Sequence, residues 1–267
     1  MAVELMSQAI IVIPARYAAS RFPGKLLAPL QDKPVIQWVW EGARSAKLAD
    51  RVIVATDDER IAAAVNGFGG EVVMSSPEIR SGTDRVAHAA RGTPCEIVVN
   101  LQGDEPLVTG ESLDRLLETL EREPDLDAAT LREPIETVGD LFDPNIVKVV
   151  ASLSGDALYF SRAPIPYFRT EGNLHADFRS VLFGRERPVE GYYRHVGVYA
   201  FRRSSLLEFA STAPTPLEKA EGLEQLRLLQ TGRRLRLLDS DFRSVGIDTL
   251  PDLRRALLVL EGRQRGA

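Results

Sequence analysis

Along the first half of the chain, short apolar runs rich in β-branched residues alternate with stretches whose apolar positions recur every three or four residues. The runs at 9–13, 52–55, 71–74 and 97–101 have the length and composition of strands. The stretches at 35–46, 60–68, 84–90 and 112–122 read as helices, the first preceded by Pro34 and the second closed by Gly69 and Gly70. A strand that is apolar throughout is buried on both faces, and strand–helix alternation requires crossover connections. The pattern therefore predicts a parallel sheet flanked by helices over residues 1–131. Ligands of such sheets lie beyond the carboxyl ends of the strands. Chemistry is thus expected in the loops 14–25, 56–58, 75–85 and 102–106.

The middle of the chain has a different rhythm. Residues 146–151, 157–160 and 193–201 are strand-like with no clear helix between them, so a mixed or antiparallel extension is expected over 132–203. Residues 163–191 hold Pro, Gly, Arg and aromatics and read as an excursion. Helical spacing returns at 204–210, 216–230 and 251–261, with a strand at 234–238, and residues 204–267 are expected to complete the site. The whole reads as a single α/β domain, a Rossmann-like, open, mostly parallel sheet with a mixed extension. Trp38 and Trp40, two apart on one helix, cannot share a face, so at least one is a packing residue.

Composition narrows the function. At 44% hydrophobic and 27% charged residues, a core of normal size is available. The formal net charge of -5 gives no global field that would draw nucleic acid or an anionic membrane, so any anion site must be local. The single cysteine, Cys95, excludes an intrachain disulfide and reads as a small buried residue. Residues 1–8 lack the basic-then-apolar pattern of a signal peptide, and no apolar run is long enough to span a bilayer. A soluble, cytoplasmic protein is expected.

Against that acidic background the loop after the first strand stands out. It runs Pro14-Ala15-Arg16-Tyr17-Ala18-Ala19-Ser20-Arg21-Phe22-Pro23-Gly24-Lys25, with three cations and no acid. Small residues leave backbone N–H groups accessible and Gly24 permits unusual backbone angles, so the loop suits a polyphosphate. Its glycine spacing is neither that of a Walker A loop nor GxGxxG, which weakens a dinucleotide-dependent oxidoreductase. The strand at 97–101 ends in Gln102-Gly103-Asp104-Glu105-Pro106. A carboxylate at a strand tip facing a cationic loop is where Mg²⁺ bridges to phosphate oxygens. Asp248, in Gly246-Ile247-Asp248-Thr249, precedes a helix opened by Pro251 and taken alone reads as a turn or capping residue.

These segments resemble the CMP-KDO synthetases, a branch of the sugar nucleotidyltransferases acting on the eight-carbon acidic sugar 3-deoxy-manno-octulosonate (KDO). The resemblance extends over nearly the whole chain. It includes Ala55-Thr56-Asp57-Asp58, Ser81-Gly82-Thr83-Asp84-Arg85, Val147-Lys148-Val149-Val150, Tyr159-Phe160-Ser161-Arg162, Arg194-His195-Val196-Gly197-Val198-Tyr199 and Leu223-Glu224-Gln225-Leu226-Arg227. It implies transfer of CMP from CTP to KDO, for lipopolysaccharide biosynthesis, by a cytoplasmic homodimer using Mg²⁺. It also implies roles for residues. Arg16, Arg21 and Lys25 would bind the triphosphate, with Arg16 and Lys25 counted as catalytic; Asp104 and Asp248 would be catalytic metal ligands. Ser81, Gly82, Thr83 and Arg85 would line the nucleotide site, and Gln102, Arg162, His195, Tyr199 and Glu224 the KDO pocket. One departure is that Ile79-Arg80 stands where the family has His-Gln. It leaves a related acidic sugar, amino-KDO or sialic acid, as an alternative. A non-catalytic nucleotide-binding paralogue is the other alternative, opposed by the joint presence of Lys25, Asp104 and Asp248.

Overall fold

In the computed structural model, which describes residues 7–18, 21–79, 81–167 and 191–266, the first apolar run is the centre of a parallel sheet. Arg80, His175 and residues 168–190 of the 163–191 excursion lie outside the described residues. The chain divides into two compact units, Met1–Pro124 with Gly197–Thr212 and Asp241–Ala267, and Asp125–Val196 with Ala213–Ser240. The sequence pattern puts internal boundaries at 131 and 203, whereas the compact units group 213–240 with the middle of the chain.

The first unit begins with β1 (Ser7–Ala15), followed by a small hairpin of β2 (Pro29–Leu30) and β3 (Lys33–Pro34) and by helix α1 (Val35–Arg44). Next come β4 (Arg51–Thr56), α2 (Glu59–Gly67), β5 (Glu71–Met74), α3 (Gly82–Arg91), β6 (Cys95–Leu101) and α4 (Gly110–Arg122). β1 pairs in parallel with both β4 and β6, and β4 with β5, giving the order β6-β1-β4-β5. Ile10, Ile11, Val12 and Ile13 have no exposure, as a strand covered on both faces requires. Each such side chain contributes roughly 1.5–3 kcal/mol on burial, and this core fixes where the strand ends point. Trp38 donates its indole N–H to the Leu30 carbonyl at 2.7 Å, while Trp40 packs on Phe68. The two tryptophans thus do separate packing jobs.

In the second unit, β7 (Ala128–Pro134) and the short helix α5 (Val138–Phe142) were not expected. The β7 sequence Ala-Ala-Thr-Leu-Arg-Glu-Pro is broken by polar residues, yet Thr130 is fully buried and Glu133 nearly so. Hydrophobic patterning misses a strand whose inward side chains are polar. β8 (Lys148–Ala151) and β9 (Ala157–Ser161) pair antiparallel, and the start of β10 (Tyr193–Arg202) pairs antiparallel with β8.

The later residues of β10 belong to the first unit, where they pair antiparallel with β6 and lead into α6 (Arg203–Ser211). α7 (Pro216–Glu221), α8 (Leu226–Gln230) and β11 (Leu235–Asp239) return to the second unit, with β11 parallel to β7. The single helix expected over 216–230 is broken at Gly222, whose φ of 64° is a left-handed helix end. The last helix, α9 (Leu250–Gly266), lies in the first unit. The result is the expected α/β fold: a mostly parallel sheet flanked by helices, with antiparallel strands added.

Candidate active site

The loop after β1 is held closed near its end. Gly24 has φ 71° and donates its N–H to the Tyr17 carbonyl at 3.0 Å. A side chain there would be strained by the backbone angle and would meet the Tyr17 ring at 3.1 Å. A 3-10 turn, Lys25–Leu27, follows directly, and buried Leu26 anchors it. Lys25 is thereby aimed at two carboxylates. Its Nζ lies 2.5 Å from Asp104 Oδ2 and 2.9 Å from Asp248 Oδ1. Arg21 adds a contact of 2.6 Å to the other oxygen of Asp248. Burial alone would lower the Lys25 pKa, but the charge and hydrogen bonds of Asp104 and Asp248 outweigh it and raise the pKa above the ordinary lysine value.

Sequence-distant Asp104 and Asp248 share Lys25 because the chain ties them together. The Ile247 N–H donates to the Asp104 carbonyl at 2.9 Å. Glu105 is buried and accepts from Ser244 Oγ at 2.7 Å. Asp252 then shapes the turn that carries Asp248. Its Oδ2 accepts from the N–H of Asp248 at 3.2 Å, the N–H of Thr249 at 2.8 Å and the Thr249 hydroxyl at 2.7 Å. Burial would raise the Asp252 carboxyl, but the Thr249 and Arg255 bonds lower it. Glu105, Ser244 and Asp252 are positioning residues that the sequence reading did not single out. Only Asp252 carried a local signal, the Thr-x-x-Asp spacing of a helix start.

The segment expected to line the nucleotide site opens α3. Ser81 caps the helix, accepting from Asp84 N at 3.0 Å. Thr83 is buried and sits 3.4 Å from Asn100 Nδ2, while Asn100 Oδ1 accepts from Gln102 Nε2 at 2.7 Å. This ladder sets which end of the Gln102 amide turns away from Asn100, and a Cβ added to Gly82 would crowd that amide at 3.1 Å. Arg85 is fully buried. Its guanidinium reaches Asp57 at 3.0 Å and the Ile79 carbonyl at 3.1 Å, and bonds Ser75 Oγ. It ties together the loops after β4 and β5 from beneath. Tyr199, on β10, stacks on Phe201.

The remaining sugar-site candidates lie in the second unit. Arg162 donates to three main-chain carbonyls: Glu221 at 2.8 Å, Pro144 at 2.8 Å and Gly222 at 3.3 Å. Its own N–H and the Ser161 hydroxyl bond the Glu221 carboxylate. His195 meets Phe160 edge-on, and its Nε2 lies 2.9 Å from Thr130 Oγ1. Burial pushes the imidazole down to about 3, so it is neutral near pH 7. The Glu224 carbonyl accepts from Arg227 N at 3.0 Å at the start of α8. Beside it, Glu218 and Arg227 form a buried ion pair. Lys148 is fully buried and donates to the carbonyls of Asp143 and Ile146, and burial brings its pKa down to about 8.

Asp104 and Asp248 together are a suitable holder for Mg²⁺. Two carboxylates already converge on one cation, the Lys25 ammonium. Mg²⁺ characteristically takes one or two carboxylates and completes its shell with substrate phosphates and water.

Comparison with known proteins gives the arrangement a family. The cytidylyltransferase family profile matches residues 10–235. The 3-deoxy-manno-octulosonate cytidylyltransferase of Geobacter sulfurreducens is 47% identical over 92% of this chain and 96% of its own. That of Bdellovibrio bacteriovorus is 44% identical over 91% and 94%. A CMP:2-keto-3-deoxy-manno-octonic acid synthetase solved in complex with CTP superposes with a TM-score of 0.84 at 38% identity, covering 96% of this chain and all of that one. A 4-diphosphocytidyl-2C-methyl-D-erythritol synthase from Anaerococcus prevotii shares the fold at a TM-score of 0.60 and 12% identity. The chain belongs to the cytidylyltransferase family and, within it, to the 3-deoxy-manno-octulosonate cytidylyltransferases.

Proposed function

We propose that this enzyme transfers CMP from CTP to the anomeric hydroxyl of KDO and releases pyrophosphate, with Mg²⁺ held by Asp104 and Asp248. The observation that carries the reading is the convergence of Lys25 on both carboxylates beside a loop with two further cations. The sugar hydroxyl attacks the α-phosphorus and pyrophosphate departs in line. Phosphoryl transfer of this kind asks the protein for position and charge rather than for a nucleophile. Arg16, Arg21 and Lys25 bind the triphosphate, and Ser81, Gly82 and Thr83 face the nucleotide, with Arg85 supporting that segment. Gln102, Arg162, His195, Tyr199 and Glu224 recognise the sugar acid.

Charge decides why so many ions are needed. The sugar is a carboxylate and CTP a polyanion, so their approach is repulsive. A unit charge pair at 4 Å interacts by roughly 4 kcal/mol at an effective dielectric of 20. Three cations oppose that repulsion directly. When bound, Mg²⁺ adds Lewis-acid stabilisation at the phosphate oxygens. Lys25, bonded here to both carboxylates, would pair with phosphate in the nucleotide complex, so that each charge keeps a partner.

The same proposal takes the enzyme as a cytoplasmic homodimer supplying lipopolysaccharide biosynthesis. Among the described residues no helix is long and apolar enough to cross a membrane. The test is pyrophosphate release with CTP, Mg²⁺ and a panel of acidic sugars. Release is expected with KDO and abolished by EDTA. Full-rate release in EDTA would overturn the metal assignment, and a clear preference for sialic acid or amino-KDO would overturn the sugar.

A further inference from the structure

Arg60 sits in the first turn of α2, where the helix dipole disfavours a cation. Its position is set by three contacts. Asp58 caps the helix, accepting from Arg60 N at 3.0 Å, and also grips the guanidinium in a two-point fork, Nε to Oδ1 at 2.9 Å and the terminal nitrogen to Oδ2 at 2.7 Å. The Asp58 N–H in turn donates to Thr56 Oγ1 at the buried end of β4. The guanidinium, still more than half exposed, is thereby placed over the Tyr17 ring, with its Cζ 3.3 Å from the ring centroid. Tyr17 is the residue whose carbonyl accepts the Gly24 N–H and whose Cε2, Cζ and Oη would lie 3.1 Å from a Cβ at Gly24. Lys25 follows Gly24 directly.

We propose that Arg60, held by Asp58, is a positioning residue that fixes the loop after β1 by stacking on Tyr17, so that Lys25 is presented to the triphosphate in a set place. The inference rests on the reading of that loop as the triphosphate site. Arg60 touches no substrate in this account. It acts through the ring, which transmits the rigid end of β4 to the return of the loop. Arginine suits the task because its planar group both forks onto a carboxylate and stacks on an aromatic face. An exposed cation–π contact corresponds to about a two- to fivefold change in an equilibrium.

The experiment measures CTP binding by calorimetry, with KM values for both substrates, in the full-length enzyme and five variants. Arg60→Gln is expected to weaken CTP about two- to fivefold while leaving the KM of the sugar acid unchanged. Tyr17→Phe keeps the ring face and should bind like the wild type, whereas Tyr17→Leu should weaken CTP. The double variant Arg60→Gln/Tyr17→Leu should bind no worse than Tyr17→Leu alone, because the arginine acts only through the ring. If the two losses multiply instead, Arg60 acts through its field on the phosphates and the proposal is overturned. Lys25→Ala separates the two readings. Undiminished CTP binding in that variant would remove the loop as the triphosphate site. Loss of binding there, with Arg60→Gln silent, would remove the buttress alone.

Discussion

In the first unit Lys25, Arg21, Asp104 and Asp248 bond one another side chain to side chain, with Arg21 and Asp248 about half exposed. In the second, Arg162 gives its guanidinium to three main-chain carbonyls, and Glu218 and Arg227 bury each other. Both regions are rich in charge, yet they answer differently to a ligand. Side-chain pairs that reach the surface are exchangeable: an incoming polyanion would take the cations, and a metal the carboxylates. Ties to the main chain are not exchangeable without moving the fold. The first cluster can be re-partnered whole, whereas in the second the main-chain bonds of Arg162 and the Glu218–Arg227 pair hold elements in place, and only the remaining guanidinium N–H groups of Arg162 are open to a ligand.

The sharpest way to break this comparison is to remove one exchangeable charge. Asp104→Asn and Asp248→Asn keep side-chain size, and each is expected to lower turnover about a thousandfold or more with circular dichroism unchanged. Near-normal turnover of either at saturating Mg²⁺ would take that residue out of the metal site. The converse holds for the second unit. Glu218→Gln leaves Arg227 charged and buried, so a stability loss of about 3 kcal/mol is expected in urea unfolding. If instead turnover falls while the unfolding midpoint stays put, the pair belongs to the chemistry and the contrast fails.

The contrast also follows what could be read in the sequence. Parallel strands were legible because strands buried on both faces are apolar throughout, and the candidate site was legible in part because its Lys25 and Asp104 lie in loops at the ends of β1 and β6. The loop around Lys25 and the tip at Asp104 are contiguous signals. Asp248 was legible only through resemblance, since nothing local distinguishes it from a capping residue. β7 stayed hidden because buried Thr130 and Glu133 interrupt its apolar pattern. Partners from separate segments escaped as well: Arg162 meets Glu221, and Arg85 meets Asp57, Ser75 and Ile79, by tertiary folding alone.

Two smaller effects sharpen the account of the second unit. Glu224→Ala should raise the KM for KDO and spare that for CTP. Losing one charge-assisted hydrogen bond corresponds to about 1.5–3 kcal/mol, or roughly ten- to a hundredfold in kcat/KM. A variant that weakened CTP and spared KDO would reverse the assignment. His195 predicts a pH effect on stability. The folded imidazole stays neutral down to about 3, while the unfolded one takes a proton near its ordinary 6.5. Between those values the unfolded chain binds the extra proton. The contribution is therefore complete above about 6.5 and is lost as the pH falls, by at most about 1.4 kcal/mol per pH unit. Thermal unfolding between pH 7 and 5 should show a steeper loss in the wild type than in His195→Asn. Equal slopes would mean that the folded ring protonates freely.

The bond from Ile247 to Asp104 has a consequence for how the enzyme comes into being. A ribosome delivers Lys25 and Asp104 early, together with the strands that hold them. Asp248 and the supporting Ser244 and Asp252 follow only after the second unit, Asp125–Val196 with Ala213–Ser240, has been made. A nascent chain therefore carries the loop and one acid without the other. The second carboxylate joins Lys25 only once synthesis has passed Asp252, so chains stalled before that point would carry the sheet with Lys25 bonded to Asp104 alone.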